Sequence, residues 1–269
     1  MLRPAILLLA LSLVSFSSPE ANPVGETIIP VTAATTTTTI AGGMSFEEKE
    51  MAFSQHLEQV YKEAKLESKG LSFPVFKKAF VGFLNLKRRE AISPAQDILT
   101  IVDFTKPSRA KRMWVIDLES KKVLFNTLVA HGRNTGNDKA EKFSNKPNSY
   151  MSSLGFYVTD QTYYGKHGLS LKLDGMDEGF NTNARERAIV VHGADYATSD
   201  FVKQYGRLGR SLGCPALPTE ISKEVIQTIK NETVMYVHSN DASYRSNYLD
   251  EALAVESFAT DLSVFAKNI

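Results

Sequence analysis

The sequence predicts a mainly β domain with flanking helices, an α+β fold. Apolar residues recur at helical spacing between Ser45 and residue 93, and again over residues 248–266. Between these regions, after Pro94, the apolar residues alternate or form short runs bounded by turn residues, which is typical of strands. A chain of 269 residues can hold one large domain or two small ones, and we expect the β region to form its main body.

The N-terminal segment has the pattern of a secretory signal. Arg3 is the only charge before an apolar run from Ala5 to Phe16, and small residues follow that run. We therefore predict export to the periplasm or cell envelope and no stable membrane span after signal cleavage. The run is short for a membrane helix, although an uncleaved anchor is the alternative. A free thiol in an exported protein is exposed to oxidation, so its presence calls for a functional reason.

The rest of the chain divides by composition. Residues 22–44 are rich in Thr, Pro, Gly and Ala and cannot form a core, which indicates a disordered linker. The predicted organisation is a signal peptide, this linker, an N-terminal helical segment, a catalytic domain and a C-terminal helical extension, at residues 1–21, 22–44, 45–93, 94–240 and 241–269. A formal net charge of +1 gives no strong field for nucleic acid, so we predict no nucleic-acid partner.

Turn and capping residues set the predicted element bounds. Ser45 and Glu48 form a capping box for a first helix that Gly70 ends, and Ser72 caps a second helix. The predicted strands are 98–104, 113–118, 123–130, 154–159, 169–173, 189–191 and 234–238. Further helices are predicted at 200–205, 220–230 and 248–266. The long polar stretch 132–153 is predicted to be a functional or mobile loop.

Cys214 is the only cysteine, which limits its chemistry. A lone cysteine forms no internal disulfide, and one thiol is too few for a metal site built on thiolate ligands. Cys214 is therefore either a buried apolar core residue or a nucleophile. Small Ser211, flexible Gly213 and rigid Pro215 around it favour the nucleophile. No histidine pair has metal-ligand spacing, and we predict neither a metal nor a cofactor.

His192 is the candidate base for that thiol. A free thiol is only a few per cent ionised near neutral pH, and a neighbouring imidazole that takes its proton makes it a good nucleophile. His192 ends a predicted buried strand and precedes Gly193, which allows a sharp turn. We expect the sulfur and a ring nitrogen to lie within about 4 Å of each other. A core histidine and a buried thiol are the alternative.

The residues around this pair resemble the L,D-transpeptidase (YkuD-type) catalytic domain family. The resemblance rests on Val-His-Gly at 191–193 and Gly-Arg-Ser-Leu-Gly-Cys-Pro-Ala-Leu at 209–217. It extends over roughly 72–238 and includes the stretches 127–136, 143–147, 152–158 and 166–175. More narrowly, it is similar to the murein L,D-transpeptidase branch.

The resemblance implies a β-sandwich-like catalytic domain that acts on the peptide stems of peptidoglycan. Cys214 would attack the stem carbonyl, His192 would be the base, and the N–H groups of Gly213 and Cys214 would form the oxyanion hole. The Gly193 carbonyl would orient the imidazole. Transfer of the acyl group to an amine gives a 3–3 cross-link, and transfer to water makes the same site an L,D-carboxypeptidase. A non-catalytic peptidoglycan-binding domain is the further alternative.

The sequence departs from the common family motif next to the cysteine. Leu212 stands where a second histidine is usual, and Pro215 follows where the family has a polar residue. We therefore expect Arg207 or Arg210 to supply the positive charge for a substrate carboxylate or for the thiolate, unless these are ordinary surface arginines. Ser211 and Gly193 complete the predicted substrate contacts in this region.

His131 and Arg133 are predicted to line the cleft as well. His131 ends a predicted strand and precedes a glycine, as His192 does, and Arg133 follows it closely. The alternative is a turn whose side chains satisfy local backbone groups.

Overall fold

The computed structural model describes the backbone of residues 43–267 and the side chains of residues 43–261. The predicted signal peptide and nearly all of the predicted linker lie outside these residues. The helices are α1 to α5, at Phe46–Glu63, Phe73–Arg88, Ser199–Tyr205, Thr219–Ile229 and Glu251–Lys267. The strands are β1 to β8, at Ile98–Asp103, Met113–Asp117, Lys122–Thr127, Gly155–Gly165, Gly168–Gly175, Val190–Gly193, Ala216–Leu217 and Val234–His238.

The mainly β fold with flanking helices is confirmed, and its strands form one mixed sheet. The eight strands have the order β3-β2-β1-β8-β4-β5-β6-β7. The chain that continues beyond β3 reaches β7 at the other end of this order, where Ala130 forms an antiparallel bridge with Ala216. The sheet thus curves until its two edge regions meet, and the result is close to a barrel.

The alternation of side chains along the strands separates two large core clusters, one on each face of the sheet. Leu99 and Ile101 of β1 face a cluster that includes α1, α2 and α5, whereas Val102 belongs to the cluster on the opposite face with α4. In β2, Trp114 faces the first cluster and Val115 the second. Because successive residues of a strand point to opposite faces, strands buried on both sides carry nearly continuous apolar runs.

The capping box predicted for α1 is confirmed, but the predicted helix end is wrong. The Ser45 hydroxyl accepts from Glu48 N–H, and the Glu48 carboxylate accepts from Ser45 N–H at 2.7 Å. The helix ends at Glu63 rather than at Gly70, because Lys65 adopts a left-handed φ of 53° and the chain continues in turns.

The hairpin of β4 and β5 is longer than the sequence indicates. Tyr163 and Tyr164, predicted as a turn, are paired within β4, and the turn lies between Gly165 and Gly168. A bulge between Thr159 and Thr162 interrupts the alternation, which explains why the pattern is lost there. The hairpin tip therefore extends beyond the edge of the neighbouring strands and lines the cavity described below. Over residues 43–267, no helix combines the length and apolar character needed to cross a bilayer.

Candidate active site

Two neighbouring strands bring the thiol and the imidazole to one cavity. Strand β6 carries His192 and runs parallel to β7, where His192 lies opposite Ala216, two residues after Cys214. Both side chains line a cavity of about 430 Å³. The two residues predicted to work together therefore share one face of the fold, despite their separation in sequence.

The Cys214 thiol makes its hydrogen bonds to backbone groups. Its Sγ accepts from Val190 N–H at 3.4 Å and donates to the Ala188 carbonyl at 3.7 Å. Among the described residues the thiol has no hydrogen bond to His192, so transfer of its proton to the imidazole requires the thiol hydrogen to turn away from the Ala188 carbonyl. Burial raises the pKa of the Cys214 thiol, while Val190 N–H and the charge of Arg187 oppose that rise.

A backbone carbonyl orients the His192 ring. Its Nδ1 lies 2.9 Å from the Gly193 carbonyl oxygen, so Nδ1 carries the proton and Nε2 is free to accept one. The hydrogen bond expected between the ring and the Gly193 carbonyl is therefore present. The Asp195 carboxylate instead accepts from the Thr219 hydroxyl at 3.1 Å. Burial lowers the pKa of His192, and that carbonyl bond opposes the shift.

His167, at the tip of the β4–β5 hairpin, stacks on the His192 ring. The ring centroids are 4.3 Å apart and the planes are inclined by 22°. The charges of His167 and Lys166 further lower the pKa of His192. The hairpin tip thus covers one face of the candidate base, and both rings line the same cavity.

The turn before Cys214 is held by the Ser211 side chain. Ser211 is buried, its hydroxyl donates to the Cys214 carbonyl at 2.6 Å, and Gly213 N–H donates to that hydroxyl at 3.1 Å. Gly213 N–H is therefore occupied within the turn, which corrects the prediction that it serves as an oxyanion donor. The N–H groups of Leu212 and Cys214 donate to no other residue in the part of the chain that the structure describes. These two groups are the backbone donors still available near the sulfur.

The predicted arginines occupy different places. Arg210 lines the cavity, and its guanidinium makes only long contacts, of 3.5 and 3.4 Å, to backbone carbonyls. Arg207 donates to the Leu208 carbonyl at 2.7 Å and does not line the cavity. Arg133 lies over the Tyr150 ring at 4.2 Å and is also outside the lining. Of the three, only Arg210 is placed to meet a ligand in this cavity.

His131 is a core residue in the structure, which corrects its predicted place in the cleft. Its side chain is fully buried, Nδ1 lies 2.7 Å from an Arg112 amino group, and Nε2 lies 3.3 Å from the Gly136 carbonyl. Burial, followed by the Arg112 charge, lowers the pKa of His131 to about 4. Because both ring nitrogens are engaged, the ring supports this part of the fold rather than a substrate.

The cavity side chains that sequence reasoning missed include Lys166, Arg187 and Tyr196. Burial, and then the charge of Cys214, raises the pKa of Tyr196 to about 12, so its hydroxyl is a donor near the sulfur at neutral pH. Arg187 lies just before the strand that carries His192. A basic residue at that position is the sequence feature that could have identified it as part of the site. The cavity lining contains three fixed cations and no carboxylate. Over the described residues, no group of three or more His, Cys, Asp or Glu side chains could hold a metal.

The geometry defines a class of protein. It is a mainly β domain in which a thiol and an imidazole line one cavity together with cationic side chains. The family model for the L,D-transpeptidase catalytic domain (YkuD_2) matches residues 67–238. The chain therefore belongs to the L,D-transpeptidase catalytic domain family. No curated protein sequence matches it.

Solved structures similar to this chain include L,D-transpeptidases from several bacteria. One is an L,D-transpeptidase from Mycobacterium smegmatis, with 13% identity, a TM-score of 0.34, and coverage of 53% of this chain and 59% of that one. Another is a helical cell shape determining protein from Campylobacter jejuni, with 14% identity, a TM-score of 0.40, and coverage of 70% and 62%. A third is an L,D-transpeptidase from Stackebrandtia nassauensis, with 16% identity, a TM-score of 0.33, and coverage of 61% and 67%. The chain spans about three fifths of the first of these proteins.

Proposed function

We propose that this protein is an exported peptidoglycan L,D-transpeptidase that forms 3–3 cross-links through a thioester on Cys214. The observation that carries the proposal is the shared cavity of Cys214 and His192 in a chain of this family. Export to the periplasm or cell envelope rests on the N-terminal segment, and the partners are peptidoglycan stem peptides. N-terminal sequencing of the mature protein tests export: an intact Met1 on envelope-extracted protein would contradict cleavage.

The first half-reaction begins with proton transfer from Sγ to Nε2 of His192. The thiolate attacks the carbonyl carbon of the stem, whose oxygen becomes an oxyanion. We expect the N–H groups of Leu212 and Cys214, which donate to no other backbone group of the described residues, and the Tyr196 hydroxyl, which keeps its proton at neutral pH, to stabilise that charge. The carbon–nitrogen bond then breaks, the leaving amine takes the proton from His192, and the thioester remains on Cys214.

The second half-reaction restores the thiol. An amine from a neighbouring stem loses a proton to Nε2 and attacks the thioester carbonyl. The carbon–sulfur bond breaks, the sulfur recovers the proton, and an amide joins the two stems. Water in place of the amine gives a carboxylic acid, which is the L,D-carboxypeptidase outcome. Because His192 is the base for both acceptors, the product shows which acceptor was used: an amide for the amine and a carboxylic acid for water.

The charge of the cavity favours an anionic peptide as substrate. Lys166 and Arg210 line it from different parts of the fold, and no carboxylate side chain accompanies them there. A peptide stem with free carboxylates would complement these cations. We expect Arg210→Ala to raise KM for stem peptides about tenfold with a smaller change in kcat, because one charge contact of about 1.4 kcal/mol is lost. Unchanged kinetics would remove Arg210 from the binding site.

The test is to incubate the purified protein with defined tetrapeptide muropeptides and to identify the products by mass. A cross-linked dimer supports transpeptidation, and a tripeptide monomer alone supports the carboxypeptidase. We expect Cys214→Ala to abolish both products and His192→Gln to reduce turnover by about 10²–10⁴-fold. His56→Gln, on α1, is the matched control and should retain activity. If the wild type makes neither product while the stem still binds, the non-catalytic binding function is correct.

A further inference from the structure

Arg187 occupies the short segment that leads into β6. Its side chain is half-buried and lines the cavity with Cys214. The residue after it, Ala188, adopts a left-handed φ of 52°, and its carbonyl accepts from the Cys214 thiol. Strand β6 then begins at Val190, whose N–H donates to the same sulfur. The backbone that holds the thiol is therefore the backbone that carries Arg187.

The Arg187 guanidinium holds one segment of the long polar loop, residues 144–153. It donates to the Ser144 carbonyl and to the Met151 carbonyl, both at 2.6 Å. It also donates to the hydroxyls of Ser149 and Ser153. Four hydrogen bonds from one planar group fix the position of a segment that has no regular secondary structure.

The same guanidinium lies against the turn that carries the thiol. One of its amino groups is 3.4 Å from where a Cβ on Gly213 would stand. Gly213 is joined to the 144–153 segment as well, because its carbonyl accepts from the Ser152 hydroxyl at 3.0 Å. Arg187, the 144–153 segment and the Cys214 turn thus form one connected unit.

The charge of Arg187 is not neutralised nearby. All four of its acceptors are uncharged oxygens, and it forms no ion pair with any carboxylate of the described residues. Arg185, two positions earlier, differs in this respect because it pairs with Asp160 and Asp174. Arg187 lowers the pKa of Cys214, and the thiolate in turn raises the pKa of Arg187, although burial has the larger effect on each.

We propose that Arg187 is a positioning residue for Cys214, which supplies a permanent positive charge beside the thiolate while its hydrogen bonds fix the 144–153 segment against the nucleophile turn. An arginine is suited to this because it stays protonated when the proton of Sγ moves to His192, and so it stabilises the charge that this transfer creates. The proposal rests on the proposed function in taking Cys214 as the nucleophile. It requires no particular acyl acceptor.

The experiment measures the rate of Cys214 alkylation by iodoacetamide as a function of pH, in the full mature chain. Cys214 is the only thiol, so no other residue contributes to the signal. Arg187→Gln removes the charge and most of the hydrogen bonds. Arg187→Lys keeps the charge, but its single ammonium group cannot make the four hydrogen bonds of the planar guanidinium. Arg185→Gln is the matched control: it removes an equal charge from the same segment, but one that pairs with Asp160 and Asp174.

We expect Arg187→Gln to lower the alkylation rate at pH 7 about tenfold relative to Arg185→Gln, because the thiolate fraction falls. Arg187→Lys should keep a pH profile close to that of the wild type. In limited proteolysis, both Arg187 variants should be cut within residues 144–153 at least tenfold faster than the control, because the hydrogen bonds from the guanidinium to this segment are lost.

Two results would overturn the proposal. If Arg187→Gln and Arg185→Gln have the same alkylation profile, Arg187 does not stabilise the thiolate. If the 144–153 segment is as protected in Arg187→Lys as in the control, Arg187 does not hold it. Circular dichroism of each variant verifies folding. If Arg187→Gln does not fold, Arg187→Met takes its place in the alkylation comparison, and Arg187→Lys still tests the hold on the 144–153 segment. Because alkylation reads the thiol directly, a failure to cross-link muropeptides would leave these outcomes interpretable.

Discussion

Replacing Gly213 by alanine should damage both the stability and the thiol reactivity of this protein. Gly213 adopts a φ of 129°, a conformation that residues with a Cβ rarely take. A Cβ built there would lie 2.9 Å from the Met151 carbonyl oxygen and 2.9 Å from Cδ1 of Ile189. Neither neighbour can yield easily, since the Met151 carbonyl is held by the Arg187 guanidinium and Ile189 is buried in the core.

The magnitude follows from two separate costs. The unfavourable φ costs about 1–2 kcal/mol, and forcing an additional methyl group into a packed site costs about 1–3 kcal/mol. A sum of about 3 kcal/mol corresponds to a fall in melting temperature on the order of 10 °C for a domain of this size. The displaced turn carries Cys214, so iodoacetamide alkylation and turnover should fall on the order of 10²-fold.

Gly206 provides the matched control for Gly213. It also has a positive φ, of 73°, but no atom lies within 4 Å of a Cβ built there. Gly206→Ala should therefore cost only the conformational part, about 1 kcal/mol, which corresponds to roughly 3 °C. Scanning calorimetry compares the two variants. If Gly213→Ala melts no lower than Gly206→Ala, the steric contact around the nucleophile turn is not as described.

Three other side chains give predictions. The pKa of His131 is about 4 in the folded protein, below the ordinary value near 6.5, so the unfolded chain binds its proton first and stability falls as the pH drops from about 6.5 to 4. The free energy of unfolding, measured in urea at each pH, should fall by about 3 kcal/mol over this range because of His131. The fall should be smaller in His131→Asn; an equal pH dependence in the two proteins would contradict this. Arg112→Met should destabilise the fold by about 2–3 kcal/mol in urea, because it leaves the Val129 and Lys106 carbonyls without their donors; a loss under about 1 kcal/mol would refute that. His167→Ala should raise the pKa of His192, because it removes the ring that covers His192 and the charge that ring carries. The acidic side of the pH profile of kcat/KM should then move to higher pH. An unchanged profile would show that the stacking has no catalytic consequence.

The local patterns of the sequence were reliable for most elements of the fold. The strands at 98–103, 113–117 and 234–238 agree with their predicted positions to within a residue, because each is a run of apolar residues buried on both faces. The capping box at Ser45 was also readable, because its two partners are three residues apart. The two-residue strand β7 was missed, since so short a strand has no periodicity and exists only through its neighbours.

Tertiary contacts decided the parts of the site that the sequence left open. His131 and His192 have the same local pattern, each at a predicted strand end before a glycine, but only His192 lines the cavity. The difference arises from Arg112, which is distant in sequence and binds the His131 ring in the core. No local pattern distinguishes two such histidines, because their environments are supplied by other parts of the chain.

The sequence by itself determined the fold class, the family and the pair of residues on which the proposed chemistry depends. Only the tertiary structure decided which charged groups surround that pair and which backbone donors are free. Arg187 illustrates the physical reason: its hydrogen bonds reach residues 34 to 43 positions away, so they depend on how the sheet curves and where the loop returns. Periodicity and capping act over a few residues, whereas the electrostatic environment of Cys214 is assembled from segments that meet only after folding.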